Sequence, residues 1–328
     1  MLLSQKSNNA PISVINNAQS LTTKEELFNY FNDFINFCDT SKATIKTYSK
    51  ALKVFFDYLN TNDIKHPTRE DLITYRNYLL DKGLQATTIA SYINALKQFF
   101  KWTYDKGIYN NIADHIKGAK VNTQIHRKEA LTLEQAREVL LEASKGETIE
   151  DKRNFAILYL AFSCGLRTIE LIRADIKDIT FKSGSVALLI QGKGRVDKAD
   201  FVKLPYPVEK AIREYLTLRA ETNEEAPLFT SLSDRNNGGR LTTTTISRII
   251  KNAFRKVGLN NALFTAHSTR HTFITLFLLN GGTLEEARQI ARHTSINTTM
   301  IYNHALDRAK NNGEETIANL LDINKRGL

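Results

Sequence analysis

From Thr23 to Lys117 the apolar residues recur with the spacing of one helix face. Leu27, Tyr30, Phe31 and Phe34 stand at i, i+3, i+4 and i+7. A further helix is predicted from Asp71 to Leu80, closed by Gly83 where a left-handed residue ordinarily ends a helix. No strand-like alternation interrupts the region, so residues 23–117 predict a helical bundle. Residues 1–22 are polar, rich in Asn and Ser and without periodicity, and read as a mobile leader.

The bundle contains a quasi-repeat. The segment Ala43 to Phe56 can be laid over Thr87 to Phe100 at an offset of 44, with eight of fourteen positions identical. Each copy opens with Thr near a helix start and puts Ile, Tyr, Leu and Phe on one face. Lys, Ser, Thr and Asn occupy another. Two similar polar faces suit a pseudo-symmetric object such as duplex nucleic acid, and hydroxyl-capped helix starts suit phosphate. The same pattern is also what a bundle core with ordinary capping threonines would produce.

Residues 118–130 break the periodicity, are basic, and read as an interdomain linker. Helical patterning resumes at Leu131, with Thr132 as the expected N-cap, and a strongly apolar helix covers Asn154 to Cys164. Ser185 to Gln191 is the clearest strand. Gly192-Lys193-Gly194-Arg195 reads as a turn and Asp200 to Leu204 as the returning strand. The expected organisation is therefore mainly α with a small antiparallel sheet: a helical bundle at 23–117, a second domain at 131–308, and a tail at 309–328. In the tail Ile317, Leu320 and Leu321 form a narrow apolar stripe on a short helix.

Composition sharpens this picture in one respect. The 328 residues suffice for about two domains at roughly 100–200 residues each. With 42% hydrophobic residues, 15 Gly and 5 Pro, the chain is neither disordered nor low-complexity. No apolar run approaches the ~18–20 residues of a membrane span, and the N-terminus lacks an apolar signal core. Two cysteines, Cys38 and Cys164, cannot build a disulfide framework or a thiolate zinc site. These features predict a soluble, reduced, cytoplasmic protein. The net charge of +10 hints at a polyanion partner. Residues 1–22, 23–117 and 118–328 contribute +1, +2 and +7 without any block of like charges, so binding would use folded basic surfaces.

Five places carry candidate chemistry: Arg167 in Cys164-Gly165-Leu166-Arg167-Thr168-Ile169-Glu170; Lys193 between two glycines; His267-Ser268-Thr269-Arg270-His271; His293; and Tyr302, nine residues later. Singly, each has an ordinary structural reading as a capping, solvated or packing residue. His267 and His271 at i, i+4 have zinc-pair spacing, but Ser, Thr and Arg lie between them with no Glu base. A guanidinium there disfavours a cation, so no metal is expected.

Together these residues resemble the tyrosine site-specific recombinases, which include phage integrases and the Xer group. Gly165-Leu166-Arg167-Thr168-Ile169-Glu170-Leu171, Ala266-His267-Ser268-Thr269-Arg270-His271-Thr272-Phe273 and His293 through Tyr302-Asn303-His304 match the family's three motifs in order and spacing. The resemblance extends over roughly residues 23 to 310. It implies a helical core-binding domain and a catalytic domain forming a C-shaped clamp around DNA. It also implies strand cleavage by the Tyr302 hydroxyl through a 3′-phosphotyrosyl intermediate, without cofactor, ATP or metal. In that scheme Arg167 and Arg270 fork onto the nonbridging phosphate oxygens, because arginine stays charged and offers planar paired donors. Lys193 protonates the leaving 5′-oxygen, His267 and His293 assist at the phosphate or accept the tyrosine proton, and Glu170 orients a neighbouring group.

The resemblance further implies inverted-repeat core sites in double-stranded DNA, a dimer on one site and a tetramer in synapsis joined through the tail, and a role for an accessory directionality protein. Tail packing in cis is the alternative. One departure stands out: Arg292 occupies the position before the third-motif His where the family usually has Gly. It either adds a phosphate contact or only alters a helix cap. Residues 1–22 are too short for the arm-binding domain that some phage integrases carry. Further DNA contacts are expected from Thr44, Lys46, Thr87, Thr88, Ser91, Asn94 and Lys97 on the repeat helices. In the second half they are expected from Arg240, Thr242, Thr243, Ser247 and Arg248 near a Thr-rich helix start. Two other functions compete with recombination: a type IB topoisomerase-like nicking and closing enzyme, and a catalytically silent architectural DNA-binding protein.

Overall fold

The computed structural model describes residues 24–119, 129–192, 194–195, 197–302 and 312–321. The expected leader, most of the expected linker and Lys193 lie outside the described residues. The chain divides into two compact units, Met1–Asn122 and Thr123–Leu328.

The first unit consists, among the described residues, of α1 (Lys24–Phe37), α2 (Lys42–Thr61), α3 (Arg69–Asp81) and α4 (Ala86–Asp105). The two copies of the repeat are α2 and α4. Each is 20 residues long, and they pack on one another. Their environments differ. Ile45, Tyr48 and Phe56 are half-buried, whereas the equivalent Ile89, Tyr92 and Phe100 are buried. The second copy forms the centre of an aromatic core with Phe34, Phe55, Tyr75 and Trp102.

The caps differ from the expectation as well. Ser41 caps α2 by accepting from the Thr44 N–H at 3.2 Å, while Gln85 at the start of α4 makes no side-chain cap. Thr44 and Thr88 lie inside the first turn, because the chain enters each helix earlier than the threonine. Gly83 has φ +73° and closes α3 through Gly83 N–H to Leu80 O and Leu84 N–H to Leu79 O, a pair of bonds that needs a left-handed residue.

The second unit is built around α6 (Ile149–Cys164), which packs against α5 (Leu133–Ser144), α8 (Tyr206–Arg219), α9 (Thr243–Lys256) and α10 (Ala266–Leu279). Neighbours on several sides explain why Ala156, Ile157, Leu158, Leu160 and Ala161 are all buried and the helix has no polar stripe. It starts earlier than its apolar run, at a capping box in which Thr148 and Asp151 serve each other's backbone N–H. Thr132 caps α5 in the same way with Gln135.

The sheet has three antiparallel strands in the order β1 (Ile179–Lys182), β2 (Ser185–Ile190), β3 (Asp200–Lys203). The sequence pattern reveals β2 and β3 but not β1. Ser183 and Gly184, with φ of 51° and 76°, form the two-residue turn that joins β1 to β2. The expected tight turn at Gly192–Arg195 is part of a longer connection from 191 to 199, because β2 ends at Ile190 and β3 begins only at Asp200.

After α7 (Thr168–Arg173), the sheet, α8, α9 and α10 come α11 (Leu284–Ala291), a helix α12 described over 296–302, and α13 (Gly313–Leu320). In α13 Ile317, Leu320 and the adjoining Leu321 are exposed by 54%, 76% and 72%.

Candidate active site

The spacing of the first motif is that of one helix ending and another starting. Gly165 terminates α6 with φ 58° and ψ 33°, a left-handed conformation that glycine adopts without steric cost. A Cβ at this position would come within 2.4 Å of the Phe273 ring. The turn delivers Arg167 to the start of α7, where Glu170 reaches back one turn. Its Oε2 accepts the Arg167 backbone N–H at 2.8 Å and its Oε1 accepts from the Arg167 guanidinium at 2.8 Å. One carboxylate thus satisfies a helix start and holds a cation at the same time.

Glu170 is buried. Burial works against its charge, but the Arg292 guanidinium, the Arg167 N–H and the Arg167 guanidinium outweigh it and hold the carboxyl below its ordinary range. The other Arg167 terminal nitrogen donates to the Arg292 carbonyl at 3.1 Å.

The second motif opens α10. Ser268 Oγ accepts the Thr265 N–H at 3.0 Å, which sets the helix start and turns Arg270 into the protein. Arg270 is 1% exposed and donates to the Gly165 carbonyl at 2.6 Å and to the Ala291 carbonyl. Burial, with the guanidiniums of Arg167 and Arg292 nearby, lowers it to about 9, so it remains charged at neutral pH. His267 is exposed at the helix start, one turn before the buried His271, with the two rings edge to face at 4.5 Å.

The third motif follows α11. His293 is buried, with Nδ1 2.8 Å from Thr299 Oγ1. Burial and the cations Arg270, Arg167 and Arg292 push it down to about 3, so the ring is neutral. Tyr302 projects from α12 and is 4% exposed, packed with Ile274, Ala287 and Ala291. Its ring lies 5.2 Å from that of His271 and 6.4 Å from that of His293. Burial raises the phenol above its ordinary value, while Arg270 and Arg167 pull in the opposite direction.

Five of the seven residues named for catalysis and support therefore converge: Arg167, Glu170, Arg270, His293 and Tyr302. Three of them, Arg167, Glu170 and His293, line a cleft of about 620 Å³ together with Arg195, Arg288 and Arg292 among others. His267 lines a second cleft of about 550 Å³ with Arg167, Ser247 and Lys251. Arg167 belongs to both. Lys193 lies outside the described residues. Sequence reasoning assigned no role to Thr299, to His271, or to the carbonyls of Gly165 and Ala291. Thr299 carried one available signal, its i, i+3 spacing to Tyr302 on one helix. Among the described residues no group of three or more His, Cys, Asp or Glu could hold a metal ion.

The outlying candidates are placed as follows. Lys46, Thr87, Ser91 and Asn94 are exposed on α2 and α4, and Thr44, Thr88 and Lys97 are half-buried. Arg240 is exposed, but its guanidinium is engaged by Asp175 and by the carbonyls of Ile172 and Ala174. Thr242 is the N-cap of α9, accepting the Thr245 N–H at 3.1 Å. Arg248 is exposed on α9, with Thr243 and Ser247 half-buried. No described helix is long and apolar enough to cross a membrane.

Two family models match the chain: the phage integrase family over residues 129–309 and the phage integrase N-terminal SAM-like domain over residues 27–107. The chain is 29% identical over 301 residues to tyrosine recombinase XerA of Pyrococcus furiosus, covering 92% of this chain and 96% of that protein. It is 27% identical over 293 residues to tyrosine recombinase XerC of Thermodesulfovibrio yellowstonii, covering 84% and 91%. In fold it is similar to the XerH site-specific recombinase bound to palindromic difH substrate in a post-cleavage complex. That match has a TM-score of 0.69 at 24% identity, over 90% of this chain and 84% of that one. It is also similar to a lambda integrase tetramer bound to a Holliday junction, with a TM-score of 0.65 at 17% identity, over 88% and 78%.

Proposed function

The chain belongs to the phage integrase family and is a tyrosine recombinase that cleaves and rejoins DNA strands site-specifically; on that premise we propose how its residues divide the work. Tyr302 Oη attacks the scissile phosphorus. The bond from phosphorus to the 5′-oxygen breaks, and the 3′ phosphate remains esterified to the tyrosine. The departing 5′-oxygen takes its proton from Lys193. In the second half of the cycle the 5′-hydroxyl of the partner strand attacks the phosphotyrosine and releases Tyr302. The ester stores the bond energy, so the exchange needs no nucleotide.

Arg167 and Arg270 bind the nonbridging oxygens, whose charge grows in the pentavalent transition state. The observation that carries this reading is the way both guanidiniums are aimed. Carbonyls and a carboxylate drawn from motifs far apart in sequence hold them beside Tyr302 and His293. Neutral His293, hydrogen-bonded at Nδ1 to Thr299, leaves Nε2 to take the tyrosine proton or contact the phosphate. His267 meets the phosphate from the exposed side of Arg167.

The substrate is duplex DNA with inverted-repeat core sites, bound by a dimer on one site and a tetramer in synapsis. Lys46, Thr87, Ser91 and Asn94 on the first unit, and Arg248 on the second, are the outer contacts. The exposed stripe of Ile317, Leu320 and Leu321 docks on a neighbouring protomer. A DNA substrate supports action in the cytoplasm.

Single-turnover cleavage of a nicked duplex tests the assignment. Arg167→Ala and Arg270→Ala should each slow formation of the covalent adduct by roughly 100- to 1000-fold. The corresponding lysine variants should recover little of it. Wild-type cleavage rates in either alanine variant would refute the role given to that arginine.

A further inference from the structure

Arg292 follows α11 in the left-handed conformation, with φ 55° and ψ 46°. Glycine meets that geometry freely, and arginine does not. Its side chain is no solvated surface arginine. It is 10% exposed, donates to Glu170 Oε2 at 2.9 Å, to the Gly165 carbonyl at 3.3 Å and to the Ile290 carbonyl at 2.7 Å. Its Nε is buried without a hydrogen-bond partner among the described residues. Closing the helix requires none of this. The two closing bonds, Arg292 N–H to Gln289 O and His293 N–H to Arg288 O, are made by the backbone alone. A strained backbone, a desolvated cation and an unpaired donor are costs that a cap does not explain.

The count of charges does explain them. The Glu170 side chain is 0% exposed and pairs with Arg167. A pair of one carboxylate and one guanidinium is neutral overall, so Glu170 offsets part of the charge that Arg167 brings to an incoming phosphodiester. Arg292 occupies the second carboxylate oxygen, so the three groups together stay positive. The backbone at the same turn completes the arrangement. The Arg292 carbonyl accepts from Arg167 and the Ala291 carbonyl accepts from Arg270.

We propose that Arg292 is a positioning residue for DNA cleavage: it neutralises and fixes Glu170 so that Arg167 keeps both its charge and its aim at the scissile phosphate. Its guanidinium is turned inward onto Glu170 and Gly165 and takes no part in DNA binding. The proposal rests on Arg167 being a phosphate ligand, as assigned above.

The test compares single-turnover cleavage of a nicked duplex with equilibrium binding of an uncleaved site. Arg292→Gly relaxes the backbone and removes the cation. It should slow cleavage about 10- to 100-fold while the dissociation constant for DNA moves less than about threefold. Arg292→Lys, which keeps a cation against Glu170, should cleave at least about tenfold faster than Arg292→Gln, which shares the strained backbone without the charge. That second comparison decides the matter even where the glycine variant fails to fold. Wild-type cleavage by Arg292→Gly would reduce the residue to a cap, and equal losses in binding and cleavage would make it a DNA contact. Equal rates for the lysine and glutamine variants would show that charge is not the agent. Each of these results overturns the proposal. A wild-type protein that forms no adduct would overturn the site assignment itself, and the proposal with it.

Discussion

His293 is the residue whose environment makes the sharpest demand on pH. Burial and the surrounding guanidiniums hold it at about 3 in the folded, DNA-free protein, below its ordinary value of 6.5. The unfolded chain therefore binds a proton near pH 6 that the folded chain refuses. Stability from this group is complete above about pH 6.5 and is lost as the pH falls toward 3. Between about pH 6.5 and 5.5 the carboxylates remain almost fully ionised, so the melting temperature of the DNA-free protein should fall with acidification in that window, and His293→Gln should flatten the slope. Equal slopes for the two proteins would show that the ring is not held neutral by the fold. A bound phosphate offsets part of that positive field and so raises the ring's affinity for a proton.

Thr299 is the second residue to test. Thr299→Val removes the hydroxyl 2.8 Å from His293 Nδ1 without changing side-chain shape. It should cost about 1–3 kcal/mol of stability in thermal or denaturant melts, and should slow adduct formation because the ring loses its orientation. Unchanged adduct kinetics would assign the hydroxyl to packing alone.

At the scale of elements, the motif Gly-Leu-Arg-x-x-Glu was legible because its chemistry is local. A left-handed glycine ends α6, the arginine starts α7, and a carboxylate one turn later serves the start. Gly165→Ala should cost roughly 2–4 kcal/mol in denaturant melts, since it combines a disfavoured φ with a contact at 2.4 Å to Phe273. It should also disturb Arg270, whose guanidinium leans on the Gly165 carbonyl. Stability within about 0.5 kcal/mol of wild type would contradict the strain argument.

What the sequence did not reveal has equally physical reasons. β1 is four residues long and half exposed, with no run of apolar residues to announce it. The partners of Arg270 lie 105 and 21 residues away, and no local pattern records them. Arg240 looked like a phosphate reader beside a Thr-rich helix start, yet Asp175, 65 residues earlier, claims its charge. The repeat predicted two equivalent helices. The fold buries one more deeply, because a face shared in sequence need not meet the same neighbours.

On the scale of the whole molecule, the net charge of +10 is spread over both units, and its meaning depends on which cations are free. Several are consumed internally: Arg153 by Glu150 and the Thr230 carbonyl, Lys198 by Asp175 and Asp178, and Arg240 by Asp175. Binding should still depend steeply on salt, with affinity falling by roughly 10³–10⁵ between 50 and 200 mM if about 6–10 phosphates are contacted. Arg240→Ala should leave that slope nearly unchanged, whereas Lys46→Ala and Arg248→Ala should each lower it by about one. A slope reduced by the Arg240 change and not by the other two would reverse the assignment of outer contacts.

Assembly is the second property at this scale. Deleting residues 312–328 should leave cleavage of a single nicked site intact and abolish the synaptic complex of paired sites in native gels. Unchanged assembly would refute docking of the tail on a neighbour.

In the proposed cycle Tyr302 carries the DNA between cleavage and rejoining. The most direct test is to trap the adduct on a nicked duplex, digest it with trypsin and identify the modified peptide by mass spectrometry. Cleavage after Arg292 and Arg308 isolates residues 293–308, in which Tyr302 is the only tyrosine. Wild type should carry a 3′-phosphate ester on Tyr302, and Tyr302→Phe should form no adduct. A nucleotide on any other residue, a 5′-phosphate linkage, or an adduct that survives Tyr302→Phe would contradict that cycle.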